Sequence, residues 1–148
     1  MRRAGTVLGT GVVLAALLGA LAVVSWAARD RAPFGPGSLA AVERAVTAAG
    51  LRVCATADVA HDLPGGSLGG RAYEVAATCP GAAVTVVVDR FASPGARDAA
   101  ARRFESLTRP RGSGAVLTVA DATVLLPGTG DEDTRRRLRA ALVGEGAR

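Results

Sequence analysis

The residue types that this sequence lacks exclude several kinds of function. Aromatic residues make up only 3% of its 148 residues, which argues against a surface that stacks sugars or nucleic-acid bases on aromatic rings. It has one histidine, His61, and two cysteines, Cys54 and Cys79, with no C-x-x-C motif. A zinc site needs three or four ligands, and one histidine beside acidic residues is a weak set. We therefore predict no metal and no cofactor.

Lysine is absent, so all 18 basic residues are arginine. Together with the abundant alanine and glycine, this indicates a GC-rich bacterial coding sequence. The presence of arginine in place of lysine at any one position is therefore no evidence that its forked geometry is needed there. The net charge of +5 lies mostly at the N-terminal end, because residues 1–31 carry +3 and residues 32–148 only +2. A nearly balanced domain lacks the basic footprint of nucleic-acid binding, and we predict no such partner.

The longest uncharged run covers residues 4–28 and is flanked by arginines on both sides. A helix of that length reaches about 37 Å, enough to cross a hydrocarbon core of ~30 Å. We therefore predict a cytoplasmic tail at 1–3, a transmembrane anchor at 4–28, a Pro/Gly-rich linker at 29–37 and a domain at 38–146. The lipid bilayer is then the partner of residues 4–28.

A cleaved signal peptide is the alternative for this run. Ser25 and Ala27 would supply the small residues before a cut, which would make the protein secreted, but the apolar run is longer than a usual signal sequence. The short basic N-terminal tail favours an N-terminus inside the cell and a domain outside, in the cell membrane as a single-pass protein.

The sequence pattern of the domain predicts an α+β fold with the order α-β-β-β-α-β-β-α. Ser38 is the expected N-cap of the first helix, Ser93-Pro94 begins the second, and a capping box from Thr129 to Glu132 begins the third. Alternating apolar residues predict strands at 51–59, 71–79, 84–88, 115–119 and 123–126. Short turns between the strands indicate one mostly antiparallel sheet with the helices on one face.

The apolar pattern also predicts which side chains are buried. A turn at Pro80-Gly81 pairs strands two and three so that one face is apolar, with the pairs Ala77–Val84, Val75–Val86 and Tyr73–Val88. The best apolar register of the first two strands gives the pairs Val53–Cys79, Ala55–Ala77, Ala57–Val75 and Val59–Tyr73. In the second helix, the pattern predicts Ala96, Ala100, Phe104 and Leu107 as the buried stripe and Arg97 as exposed.

The two cysteines fall in the predicted first and second strands. An exported domain with two such cysteines most simply forms one disulfide, Cys54–Cys79. The apolar register places them on opposite faces, so the pair requires a bulge or a twisted strand end. Two free buried thiols are the alternative.

The best catalytic candidates are Asp58, at the end of the first strand, and His61 and Asp62 in the loop after it. An aspartate beside a histidine can orient an imidazole for base chemistry, and a small hydrolase or metal-dependent enzyme would use these residues. A solvated glycine-rich loop is the competing interpretation, because catalytic groups need supporting contacts that hold them.

Two basic segments have simpler explanations than a binding site. The stretch from Arg109 and Arg111 to Gly112-Ser113-Gly114 lacks the features of a phosphate loop. The arginines at 135, 136 and 137 each follow an acid by four residues, which predicts helix ion pairs. We therefore expect a non-catalytic extracytoplasmic interaction module with an unidentified envelope or protein partner.

Overall fold

The computed structural model describes residues 34–59, 66–109 and 114–148. Residues from Ala32 to Arg148 form one compact unit. Its elements follow the predicted order: α1 (Ser38–Ala48), β1 (Arg52–Val59), β2 (Ser67–Ala76), β3 (Val84–Phe91), α2 (Pro94–Thr108), β4 (Gly114–Val119), β5 (Ala122–Pro127) and α3 (Glu132–Gly144). The α+β class is thus confirmed.

The five strands form one sheet in the order β1-β2-β3-β5-β4, and all neighbours are antiparallel. Because β5 lies between β3 and β4, helix α2 is a crossover between two strands of the same direction. At the β4 edge, Thr118 and Arg148 exchange two backbone hydrogen bonds of 2.7 and 3.0 Å. Strand β1 forms the other edge.

The main core lies between one sheet face and the helices α1 and α3. Alternate residues of β3 point into it, and the predicted apolar face of Val84, Val86 and Val88 is fully buried. Burial of such aliphatic side chains is the main driving force of folding. The helices contribute Ala41, Val42, Ala45, Val46, Leu138 and Leu142.

Helix α2 packs on the opposite sheet face, so the prediction of helices on one face is wrong. It contributes no residue to the main core but contacts β3, β4 and β5. Its buried residues are Arg97 and Ala101, while Leu107 is 57% exposed. Three residues of the predicted stripe, Ala96, Ala100 and Phe104, are half-buried. The most buried positions lie one residue further on, because Arg97 finds polar partners beneath the helix.

The register of β2 and β3 differs from the prediction by two residues. Tyr73 lies opposite Val86 and Val75 opposite Val84, because β2 ends at Ala76 and the connection is longer than a tight turn. A shift of two residues keeps every side chain on its predicted face. The apolar face was therefore predicted correctly although the pairs were not.

Beyond the bulge at Cys54, the register of β1 and β2 differs from the prediction by three residues. Ala55 lies opposite Glu74, and Ala57 lies opposite Ala72. An odd shift moves these side chains to the other face of the sheet, and in this edge strand both alanines are exposed, as is Thr56 between them. Alanine gains little from burial, and the apolar match of this strand was too weak to fix its register.

The helix starts are partly as predicted. Ser93 caps α2 by accepting a bond from the amide of Ala96, with Pro94 in the first turn. Helix α3 is capped by Asp131, which accepts from the amide of Thr134, instead of by the predicted box at Thr129. Helix α1 has Gly37 at its N-cap in place of Ser38, with no side-chain cap.

The membrane prediction falls outside the described part of the chain. No helix within residues 34–59, 66–109 and 114–148 is long and apolar enough to cross a bilayer. The proposed anchor at 4–28 is not among those residues.

Candidate functional site

The disulfide predicted from the sequence joins Cys54 and Cys79, with Cα atoms 5.5 Å apart. Cys54 is the extra residue of a bulge in β1, since the register passes from Val53 opposite Val75 to Ala55 opposite Glu74. Cys79 lies beyond the end of β2 and not within it. The bulge that the pairing required is therefore present.

A second bulge shapes the opposite end of the sheet. In β2 the register passes from Ser67 opposite Phe91 to Gly70 opposite Asp89, so two residues of β2 face only Arg90. One of them, Gly69, has a φ of 87°, a conformation that glycine adopts without strain. The other, Leu68, is 56% exposed. Bulges of this kind re-aim side chains and often lie beside functional sites.

Beside this bulge is an open depression of about 410 Å³, which we call the bulge groove. It lies at the end of the sheet where α1 begins. Its described lining consists of Leu39, Asp58, Val59, Leu68, Gly69, Gly70, Arg71 and Arg90. The groove thus combines aliphatic side chains, glycine backbone and two guanidinium groups.

Four charged side chains form a row across the strands at the groove. Asp58 faces Arg71 across β1 and β2, with 3.2 Å between Oδ1 and Nε. Arg90 of β3 binds Asp121, with 3.0 Å between Nε and Oδ2. The hydrogen bond that Arg71 donates to Asp58 is the main cause that raises the pKa of Arg71 above its usual value. The two arginines are diagonal neighbours on adjacent strands, so their positive charges lie in the middle of the row.

Gly70 brings the backbone of β2 close to β3 at the groove. A Cβ atom at this position would lie 2.4 Å from Oδ1 of Asp89 and 2.6 Å from the carbonyl oxygen of Val88. Both distances are far below van der Waals contact, so only glycine fits here. Asp89 itself is fully buried on the α2 side of the sheet.

Arg97 secures the same end of the sheet from the other face. Its side chain is 1% exposed and contacts Asp98 at 2.8 Å. It also donates to the carbonyl oxygen of Ala120 at 2.6 Å, in the β4–β5 turn where Ala120 has a φ of 48°. The guanidinium lies 5.7 Å from the ring centre of Phe34. A buried arginine needs such partners, and its role here is to hold the turn and α2 together.

The first turn of α1 borders the groove through Leu39. The N-terminal amides of a helix carry partial positive charge and attract anions. The first turn of α1 has no acidic residue and no side-chain cap. The hydroxyl of Ser38 is fully buried and has no hydrogen-bond partner among the described residues.

The predicted catalytic loop is only partly described. His61 and Asp62 lie outside the described residues, so the predicted site stays untested. Asp58 is described, and its carboxylate is engaged by Arg71. Within residues 34–59, 66–109 and 114–148, no three or more histidine, cysteine, aspartate or glutamate side chains group to hold a metal ion.

The sequence has two other basic segments. Of the first, Arg109 and Gly114 line a shallow depression that Arg139 also borders, while Arg111, Gly112 and Ser113 lie outside the described residues. Of the three ion pairs predicted in α3, the pair of Asp133 with Arg137 is present at 3.8 Å. The other two differ, because Asp131 caps the helix and the remaining pairs are spaced by three residues.

Sequence reasoning missed Arg71, Arg90 and Asp121. The consecutive glycines at 69 and 70, directly before the predicted second strand, are the one local signal that indicates an irregularity here. No protein-family model matches the chain, and no curated protein and no solved structure is significantly similar to it.

Proposed function

We propose that this protein is a non-catalytic extracytoplasmic interaction module, held to the cell membrane by a single-pass anchor at residues 4–28 with its N-terminus inside. The observation that carries the proposal is the disulfide between Cys54 and Cys79. Such bonds persist in oxidising compartments outside the cytoplasm. An uncharged run of 25 residues ahead of the domain supplies the means of export and attachment.

The pairing of the charged residues supports an interaction role over catalysis. The carboxylates of Asp58 and Asp121 are engaged by Arg71 and Arg90, which link neighbouring strands. A catalytic acid or base must be within reach of a substrate proton, whereas these groups are held by cations. The bulge groove, which Asp58, Arg71 and Arg90 line, is a recognition surface with aliphatic and cationic parts.

The placement is tested with reporter fusions after Arg148. We expect activity from a reporter that works only outside the cytoplasm and none from one that works only inside. The matched variant carries Leu17→Arg and Leu18→Arg, since arginine at a helix centre disfavours insertion by about 2.5–3.5 kcal/mol per residue. The control with alanine at both positions should keep the outside signal. Activity of the cytoplasmic reporter in the unchanged chain would contradict the proposal.

Attachment is tested separately by mass spectrometry of the native product from washed membranes. An intact residue 1–28 segment in the membrane fraction is the expected result. A product that begins near Arg29 and appears in the medium would instead establish the secreted alternative.

A further inference from the structure

We propose that the bulge groove binds a phosphate group, in particular one carried on an apolar chain. This deepens the proposed function by giving the interaction module a ligand class. The groove volume of about 410 Å³ is within the usual range for small-molecule sites. The following features together point to an oxyanion with an apolar neighbour.

The two arginines are arranged to share one anion. Arg71 and Arg90 lie on adjacent strands, with Arg71 opposite Val88 and Arg90 two residues further on. Diagonal neighbours in a sheet are about 7–8 Å apart at the backbone, a span that one phosphate can bridge. Both ion pairs are made through Nε, and Arg71 also has a side-chain hydrogen bond with Tyr73. Two guanidinium groups with several N–H donors each suit the oxygens of a phosphate.

A ligand of Arg71 would compete with the ion pair between Asp58 and Arg71, which is an exposed and therefore weak one. The side chain of Asp58 is 86% exposed and its contact with Arg71 is 3.2 Å long. An exposed pair of this geometry contributes little, so a phosphate can replace it at small cost. Asp121 is buried and keeps Arg90 in place from the far side.

The surroundings supply further donors and an apolar wall. The uncapped first turn of α1 borders the groove through Leu39, and helix N-termini favour phosphate. Val59 and Leu68 also line the groove, and the exposed Leu68 would gain by covering an alkyl chain.

The test measures binding by calorimetry to the full chain in a non-ionic detergent at low salt, with inorganic phosphate and hexyl phosphate as separate probes. We expect Arg71→Gln to weaken both by about tenfold, because a hydrogen bond to a charged group is lost. Asp58→Asn should strengthen both, since it removes the competing carboxylate. A misfolded protein would not give that gain. Arg52→Gln is the matched control. It changes the net charge equally, but it lies six residues from Asp58 along β1, about 20 Å away.

The two probes separate the sources of the phosphate. Binding of hexyl phosphate at least about tenfold tighter than inorganic phosphate assigns a chain-bearing phosphate such as a lipid headgroup, since each buried methylene adds about fourfold. Equal affinity for the two probes would indicate that the groove binds free phosphate, and it would reject the proposal that the ligand carries an apolar chain. Absence of binding, or an equal loss from Arg71→Gln and Arg52→Gln, overturns the proposal. The reporter result bears only on placement, so either proposal can fail without the other.

Discussion

Removal of the disulfide is the perturbation whose size the structure best defines. The double variant Cys54→Ser with Cys79→Ser frees a loop with a sequence separation of 25. In the chain-entropy model, closing a loop of that length stabilises the native state by about 3.5 kcal/mol at 25 °C. A domain of roughly 115 residues has an unfolding entropy near 240 cal/mol/K, so the melting temperature should fall by about 14 °C.

The assay is thermal unfolding of the full chain in detergent, followed by circular dichroism. Thr78→Ser, next to Cys79 in the same exposed connection, is the control that leaves the bridge intact and should melt like the unchanged protein. Labelling of the denatured, unreduced chain should find no free thiol, because both cysteines are paired. A double variant that melts within about 3 °C of the unchanged protein would refute the reasoning, since it would mean that the bridge contributes less than about 1 kcal/mol.

Two further substitutions and one titration test the packing of the domain. Gly70→Ala should destabilise it by about 1–3 kcal/mol, because the added Cβ meets Oδ1 of Asp89 at 2.4 Å and overpacking forces the strands apart. The control Gly95→Ala, where a Cβ has nothing within 4 Å, should cost far less. Similar denaturant midpoints for the two variants would count against the close approach at Gly70. Tyr73 is the single tyrosine, and burial, followed by the nearby carboxylate of α1, raises its pKa above 10.0. The midpoint of its phenolate absorbance should therefore lie above pH 10 in the folded protein. Its contribution to stability is present below pH 10 and lost as the pH rises. A titration midpoint at or below pH 10 would contradict its burial. Leu142→Ala removes a fully buried side chain between α3 and the sheet and should cost about 2–5 kcal/mol, to be measured by chemical denaturation; a loss under 1 kcal/mol would show that α3 does not form part of the core.

The bulge groove could not be predicted from the sequence, because its charged residues come together only through the pairing of the strands. Asp58, Arg71, Arg90 and Asp121 lie on four different segments, and nothing in their local sequence connects them. They meet because the register sets Asp58 opposite Arg71 and because the bulge at Gly69 displaces the chain beside Arg90. Only the paired glycines gave a sign of it in the sequence.

The features that depend on near neighbours in the chain could be predicted from the sequence. Alternation of valines specified the buried face of β3, Ser93-Pro94 specified the start of α2, and two cysteines allowed only one internal disulfide. These signals act over a few residues, where backbone geometry and side-chain period leave few choices.

The tertiary structure alone decided the register of β1, the side of the sheet that α2 covers and the burial of Arg97. Alanine-rich faces gain too little from burial to select a register, so the bulge at Cys54 and the length of the β1–β2 connection set it. Arg97 is buried because folding brings the carbonyl of Ala120, in the β4–β5 turn, to its guanidinium, which also contacts the neighbouring Asp98 of the same helix. Polar partners that arrive from distant segments have no local sequence signal, and for that reason they could not be predicted.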